Sequence, residues 1–100
     1  MTDKLRNAVG ICMRAGRCAT GDFAVWERIL RGGVRLVILD ASASENLTKK
    51  YTDASLHHGF RLIRMEDLGA AIGKPDRKVM AVSDENFTKL IDGAAAPKES

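Results

Sequence analysis

The run Arg35-Leu36-Val37-Ile38-Leu39 decides the fold. Four aliphatic residues in succession, with no polar alternation among them, read as a strand covered on both faces. Such a strand needs a layer of other structure on each side, and the flanking sequence supplies helices. Downstream, Asp40-Ala41 leaves the carboxyl end of the strand. Ser42-Ala43-Ser44-Glu45 has capping-box spacing, which predicts a helix opened by Ser42. Leu47, Tyr51, Ala54 and His58 would form its inner face, and Gly59 would close it. Upstream, Gly32-Gly33 breaks a helix that begins near Thr20-Gly21-Asp22, with Thr20 as N-cap and Asp22 in the first turn. Val25, Trp26, Ile29 and Leu30 share one face of that helix, with Phe23 at its edge.

The same reading extends to both ends of the chain. Leu5, Ala8, Val9, Cys12 and Ala15 fall on one stripe of a helix from Asp3 to Arg14, and Arg6, Asn7, Gly10 and Arg14 face away from it. Gly16 ends that helix, and Arg17 to Thr20 is a brief strand or an extended loop. Arg61 to Arg64 is a short strand, Glu66 to Ile72 a short helix, and Gly73 to Arg77 a turn. Lys78 to Val82 is another strand, and Ser83-Asp84-Glu85 caps a last helix through Ile91. Alternating helices and strands predict a three-layer α/β/α sandwich around a small four-stranded mixed sheet. Residues 1–92 form one domain on this reading, and residues 93–100 a disordered tail.

The chain has 100 residues, 45% hydrophobic and 29% charged. That is one domain's worth of core with a soluble surface, and no apolar run is long enough to span a bilayer. Met1 to Arg6 is charged and no apolar export segment follows, so a cytoplasmic location is expected. The net charge is only +3. Residues 1–36 hold seven basic and three acidic side chains, an excess of +4, and six of the seven are arginine. Arginine's planar fork suits phosphate and base edges. This asymmetry is compatible with nucleic-acid binding without demonstrating it.

Enzymatic chemistry finds little support. No glycine-rich phosphate loop, dinucleotide fingerprint or nucleophile elbow occurs, and no catalytic residue, cofactor or metal site is expected. His57-His58 reads as a helix C-terminus, where cations are favoured, with no ligands at metal spacing. Cys12 lies on an apolar stripe and reads as core; Cys18 has Arg14 and Arg17 near it. Asp40 reads as a cap or turn residue. The spacing that stands out is Gly16-Arg17-Cys18-Ala19-Thr20-Gly21, glycines at both ends of a segment that runs into a helix N-terminus. Backbone N–H groups and the dipole make such a junction suited to phosphate. Gly73-Lys74-Pro75-Asp76-Arg77-Lys78 is a second basic loop. If the two meet on one rim, they form a cationic surface for a polynucleotide backbone.

Several stretches together resemble a known family. These are Arg14 to Gly21, Ile29 to Leu39, Asp40-Ala41-Ser42 with Asn46 to Lys50, and Asp67 to Lys74. Over residues 4–91 their order and spacing are similar to the YlxQ-type bacterial relatives of the kink-turn-binding ribosomal proteins. The resemblance implies an α/β/α sandwich without a cofactor. It further implies a monomer that binds structured RNA, ribosomal or otherwise kinked or bulged, in the setting of the ribosome. In that superfamily the RNA face combines the loop opening the second helix with the loop before the last strand. Kink-turn binders carry Gly-x-Asn-Glu-x-x-Lys at the first place; here the matching residues are Gly21, Phe23, Ala24 and Glu27, and only the glycine is kept. Phe23 and Ala24 cannot supply base-edge hydrogen bonds, and Glu27 reverses a charge. The expected recognition is therefore of backbone and shape. Arg14, Arg17, Lys74, Arg77, Lys78 and the N–H groups near Gly21 would hold phosphates, Phe23 would stack on an unpaired base, and Gly16 and Thr20 belong to the same expected RNA-binding set. The same fold acting as a protein-interaction module, docking through the surface edged by Phe23, is the alternative.

Overall fold

The computed structural model describes residues 3–95. Its elements are α1 (Asp3–Arg14), β1 (Cys18–Thr20), α2 (Asp22–Arg31), β2 (Leu36–Asp40), α3 (Glu45–His58), β3 (Arg61–Met65), α4 (Leu68–Ile72), β4 (Val79–Val82) and α5 (Glu85–Ala95). The strands form one sheet in the order β1-β4-β2-β3. β2 and β3 are parallel, joined through α3, whereas β4 runs antiparallel to both β1 and β2. The sheet is mixed because β4 returns between two earlier strands. Among the described residues no helix is long and apolar enough to cross a membrane.

The period-2 geometry of β2 and β4 divides the core. Leu36, Ile38, Met80 and Val82 face α1, α4 and α5, where Leu5, Val9, Cys12, Leu68, Ile72 and Ile91 meet them. Val37, Leu39, Val79 and Ala81 face α2 and α3, where Val25, Ile29, Tyr51 and Ala54 meet them. These two cores on opposite faces of one sheet are the expected sandwich.

Several local expectations give way to tertiary structure. Thr20 is the last residue of β1, opposite Met80, so it cannot cap α2; Gly21 holds the cap position, with φ 91° and no side-chain cap. Ser44, not Ser42, caps α3, its Oγ accepting from the Leu47 N–H at 3.1 Å. Ser42 is drawn instead to Asp40, whose carboxylate accepts from the Ser42 N–H at 2.9 Å and from its hydroxyl. His58 is exposed, since α3 ends there and points its last turn away from the sheet. Ala15 lies beyond the end of α1 and Leu30 on the outer side of α2, and both are exposed. Gly10, by contrast, turns inward and is buried where α1 crosses α4; a Cβ there would lie 3.2 Å from the Ala71 carbonyl oxygen. α4 begins at Leu68 because Asp67 has a left-handed backbone, φ 58°. α5 continues past Ile91 to Ala95, with Ala94 and Ala95 packed on the core, so residues 93–95 are helix. The rest of the expected tail, 96–100, lies outside the described residues.

One polar cluster joins α2 to α3. The Tyr51 hydroxyl donates to Asp22 Oδ1 at 2.6 Å, and Lys50 Nζ reaches the same oxygen at 2.9 Å while lying 4.6 Å from the Trp26 ring centre. Burial would raise the Asp22 carboxyl, but the bonds from Tyr51 and Lys50 prevail and hold it below its ordinary value. Burial and the Asp22 charge push the Tyr51 phenol well up, so it stays a donor. Tyr51→Phe is expected to cost about 1 kcal/mol in urea unfolding, the worth of one buried hydrogen bond with the ring retained. A midpoint equal to that of the unmodified protein would show that the bond contributes nothing.

Candidate nucleic-acid interface

The register divides the basic residues between two ends of the sheet. One row runs Cys18, Val82, Leu36, Arg61 across the four strands. At the other end, the Gly21 N–H donates to the Val79 carbonyl and the Asp40 N–H to the Lys78 carbonyl. Gly21, Lys74, Arg77 and Lys78 therefore belong to the rim at the carboxyl end of β2. Gly16 and Arg17 belong to the opposite rim, separated from Gly21 by about 13 Å of extended chain. The segment between the two glycines is one loop in sequence but two in space, because β1 occupies its middle.

On the first rim the two loops touch. A Cβ on Gly21 would lie 3.4 Å from Arg77 Cδ and Nε, so the arginine stem lies against the glycine. Its guanidinium pairs with Asp76 at 3.2 Å, and its Nε is buried without a hydrogen-bond partner among the described residues. Lys78 Nζ is held by the Ser42 hydroxyl at 2.9 Å and lies 3.8 Å from Asp40. Lys74 is exposed and has no ion pair among the described residues. Phe23, in the first turn of α2, is 79% exposed. The Asp22 carboxylate is turned aside to Tyr51 and Lys50, so the first N–H groups of α2 carry no side-chain cap. A helix end of this kind presents partial positive charge and unused donors.

Asp40 organises this rim: it is the cap and turn residue the sequence suggests, but its reach to the start of α4 was not legible there. It is 6% exposed, and its carboxylate accepts from Ser42 twice and, at 2.8 Å, from the N–H of Leu68 at the start of α4. Burial would raise its pKa, yet these hydrogen bonds and the Lys78 charge hold it below the ordinary value. A cavity of about 320 Å³ opens beside it, lined by Ser42, Gly69, Pro75 and Lys78 among others. The floor of the Lys74–Pro75 turn rests on Gly69: a Cβ there would lie 2.8 Å from the carbonyl oxygens of both. The signal for Asp40 was its place directly after a fully buried strand.

Arg14 joins neither loop. Its guanidinium folds back along α1, close enough that a Cβ on Gly10 would meet it at 3.5 Å. His57 and His58 stack edge to face on an exposed helix end, and no three His, Cys, Asp or Glu side chains gather as a metal site among the described residues.

No family model matches the chain. A Bacillus halodurans protein of unknown function superposes with a TM-score of 0.84 at 30% identity, covering 91% of this chain and 95% of that one. A Giardia lamblia 15.5 kD RNA-binding protein shares the fold with a TM-score of 0.76 at 18% identity, covering 93% of this chain and 82% of its own. The RNA-binding protein YlxQ of Enterococcus faecium is 35% identical over an alignment of 97 positions that covers 90% of this chain and 93% of the relative. YlxQ of Bacillus subtilis is 36% identical over an alignment of 87 positions that covers 83% of this chain and 87% of the relative. With likeness at that level along nearly its whole length, the chain belongs to the YlxQ family.

Proposed function

We propose that the protein binds structured RNA without catalysing a reaction, as a monomer in the cytoplasm, at the ribosome. Contact is through the rim built from Gly21, Phe23, Lys74, Arg77 and Lys78. The observation that carries this reading is the packing of Arg77 on Gly21, which joins an uncapped helix N-terminus to a basic turn. RNA backbone fits both parts: phosphates meet free N–H donors and the cations of the turn, and an unpaired base can stack on Phe23. Their relatives' designation as RNA-binding proteins supports the same class of partner.

The test is binding of ribosomal RNA fragments by fluorescence anisotropy at rising salt. Lys74→Glu with Arg77→Glu is expected to weaken binding at least tenfold and to lower the slope of log affinity against log salt by about 1.5. Affinity and slope equal to those of the unmodified protein would remove this rim from RNA binding. The exposed Phe23 also suits a protein-docking module, and that reading predicts no RNA shift at any salt.

A further inference from the structure

The opposite rim carries four arginines that the function proposed above does not use. Arg17 precedes β1, Arg28 and Arg31 lie in the last turn of α2, and Arg35 precedes β2, its N–H donating to the Val82 carbonyl beside Ser83. Gly16, Arg17, Cys18, Arg28, Ser83 and Asp84 line a cavity of about 330 Å³ there. Neither Arg17 nor Arg28 has an ion pair among the described residues. Ser83 Oγ is buried and lacks a hydrogen-bond partner among them, although a hydroxyl in such a place is ordinarily satisfied. Asp84 is the one carboxylate in the lining, and its Oδ1 accepts from the Phe87 N–H at the start of α5. The Cys18 thiol is held low by its bond from Cys12 and, against the effect of burial, by the nearby Arg28 charge.

We infer that this cavity is a second phosphate subsite, which takes a backbone phosphate from a different segment of the bound RNA than the one on the Gly21 rim. Two guanidinium groups and an unused hydroxyl are complementary to a tetrahedral oxyanion, each guanidinium able to give two parallel hydrogen bonds. Arg31 and Arg35 extend the positive surface along the same rim. The two subsites stand at opposite ends of β2, about 16 Å of strand apart. That separation is a few nucleotides of backbone, so the two subsites can take phosphates from different points of one bound RNA.

The inference rests on RNA being the partner, and the test separates the two proposals. Amide spectra of the labelled protein are recorded with a short RNA hairpin and, separately, with inorganic phosphate at matched ionic strength. The hairpin is expected to shift Gly16 to Cys18 and Ser83-Asp84 as well as Gly21 and the turn from Lys74. Arg17→Ala with Arg28→Ala should abolish the first set, leave the second, weaken affinity about tenfold and lower the salt slope by about 1.5. Should that double variant not fold, Arg17→Ala alone must lose the first set and about half the slope change. Shifts confined to the Gly21 rim, with the arginine variants binding as the unmodified protein does, would overturn the second subsite and leave the proposed function standing. Shifts confined to the arginine cavity would support the subsite and overturn the rim assigned above. Inorganic phosphate shifting the cavity while the hairpin does not would mean a site for free phosphate, and silence with both probes would end both proposals.

Discussion

Asp40→Ala is expected to destabilise the protein by about 3 kcal/mol and to lower its melting temperature by roughly 15 °C. The carboxylate is almost fully buried and takes hydrogen bonds from Ser42 and from Leu68, with Lys78 beside it. Removing it leaves the Leu68 N–H buried without an acceptor, and an abandoned buried donor costs more than a bond gained on folding contributes. It also releases Lys78, whose remaining partner is the Ser42 hydroxyl. The acid limb has a definite sign. Because the folded carboxyl titrates below its unfolded value, its contribution is fully present above about pH 4 and is lost as pH falls through the folded value. Urea midpoints measured from about pH 7 down to about pH 2 should therefore fall more steeply for the unmodified protein than for Asp40→Ala. Asp22, also held low, leaves some slope in both. Equal slopes would show that Asp40 is not the group whose protonation weakens the fold.

Gly69→Ala is the second large effect, expected at about 2–3 kcal/mol of lost stability with displacement of the Lys74–Lys78 turn. The added methyl would lie 2.8 Å from two backbone oxygens and 2.9 Å from the Pro75 carbonyl carbon, and neither backbone can swing aside as a flexible side-chain end does. Helix propensity favours alanine by about 1 kcal/mol, too little to offset the clash. At Gly10 the corresponding contact is 3.2 Å to a single oxygen, so Gly10→Ala serves as the milder comparison. Thermal unfolding gives the stability, and amide shifts across Lys74 to Lys78 report the turn. A Gly69→Ala protein with the same midpoint and an unmoved turn would mean that the backbone there yields freely.

The layers of the sandwich were legible from periodicity alone. The unbroken run at Leu36 to Leu39 could only be a strand covered twice, and the stripes of α1 and α2 supplied its covers. Legibility ended where a residue's partner lay far along the chain. Ser42 stood at capping-box spacing before α3, but Asp40 captures it, and Ser44 caps the helix instead. Asp40 itself gave no hint of Leu68, 28 residues away. The candidate site suffered most from this. Gly16 and Gly21 bracket what reads as one loop, but pairing of Cys18 to Thr20 with β4 sends its halves to different ends of the sheet. The Gly21–Arg77 meeting was anticipated as a possibility of the fold, whereas the separation of Arg17 from it needed the strand register.

The position of β4 has a consequence for how the molecule comes into being. β1 and β2 have no edge in common; each pairs with the strand that arrives last in the sequence. While a ribosome is still making the chain, everything before Val79 can gather only as a βαβ unit with loose helices around it. Neither rim exists until the final quarter is free to slot into the waiting gap. On the function proposed above, a nascent chain cannot hold RNA at either rim until the sheet closes around its last strand.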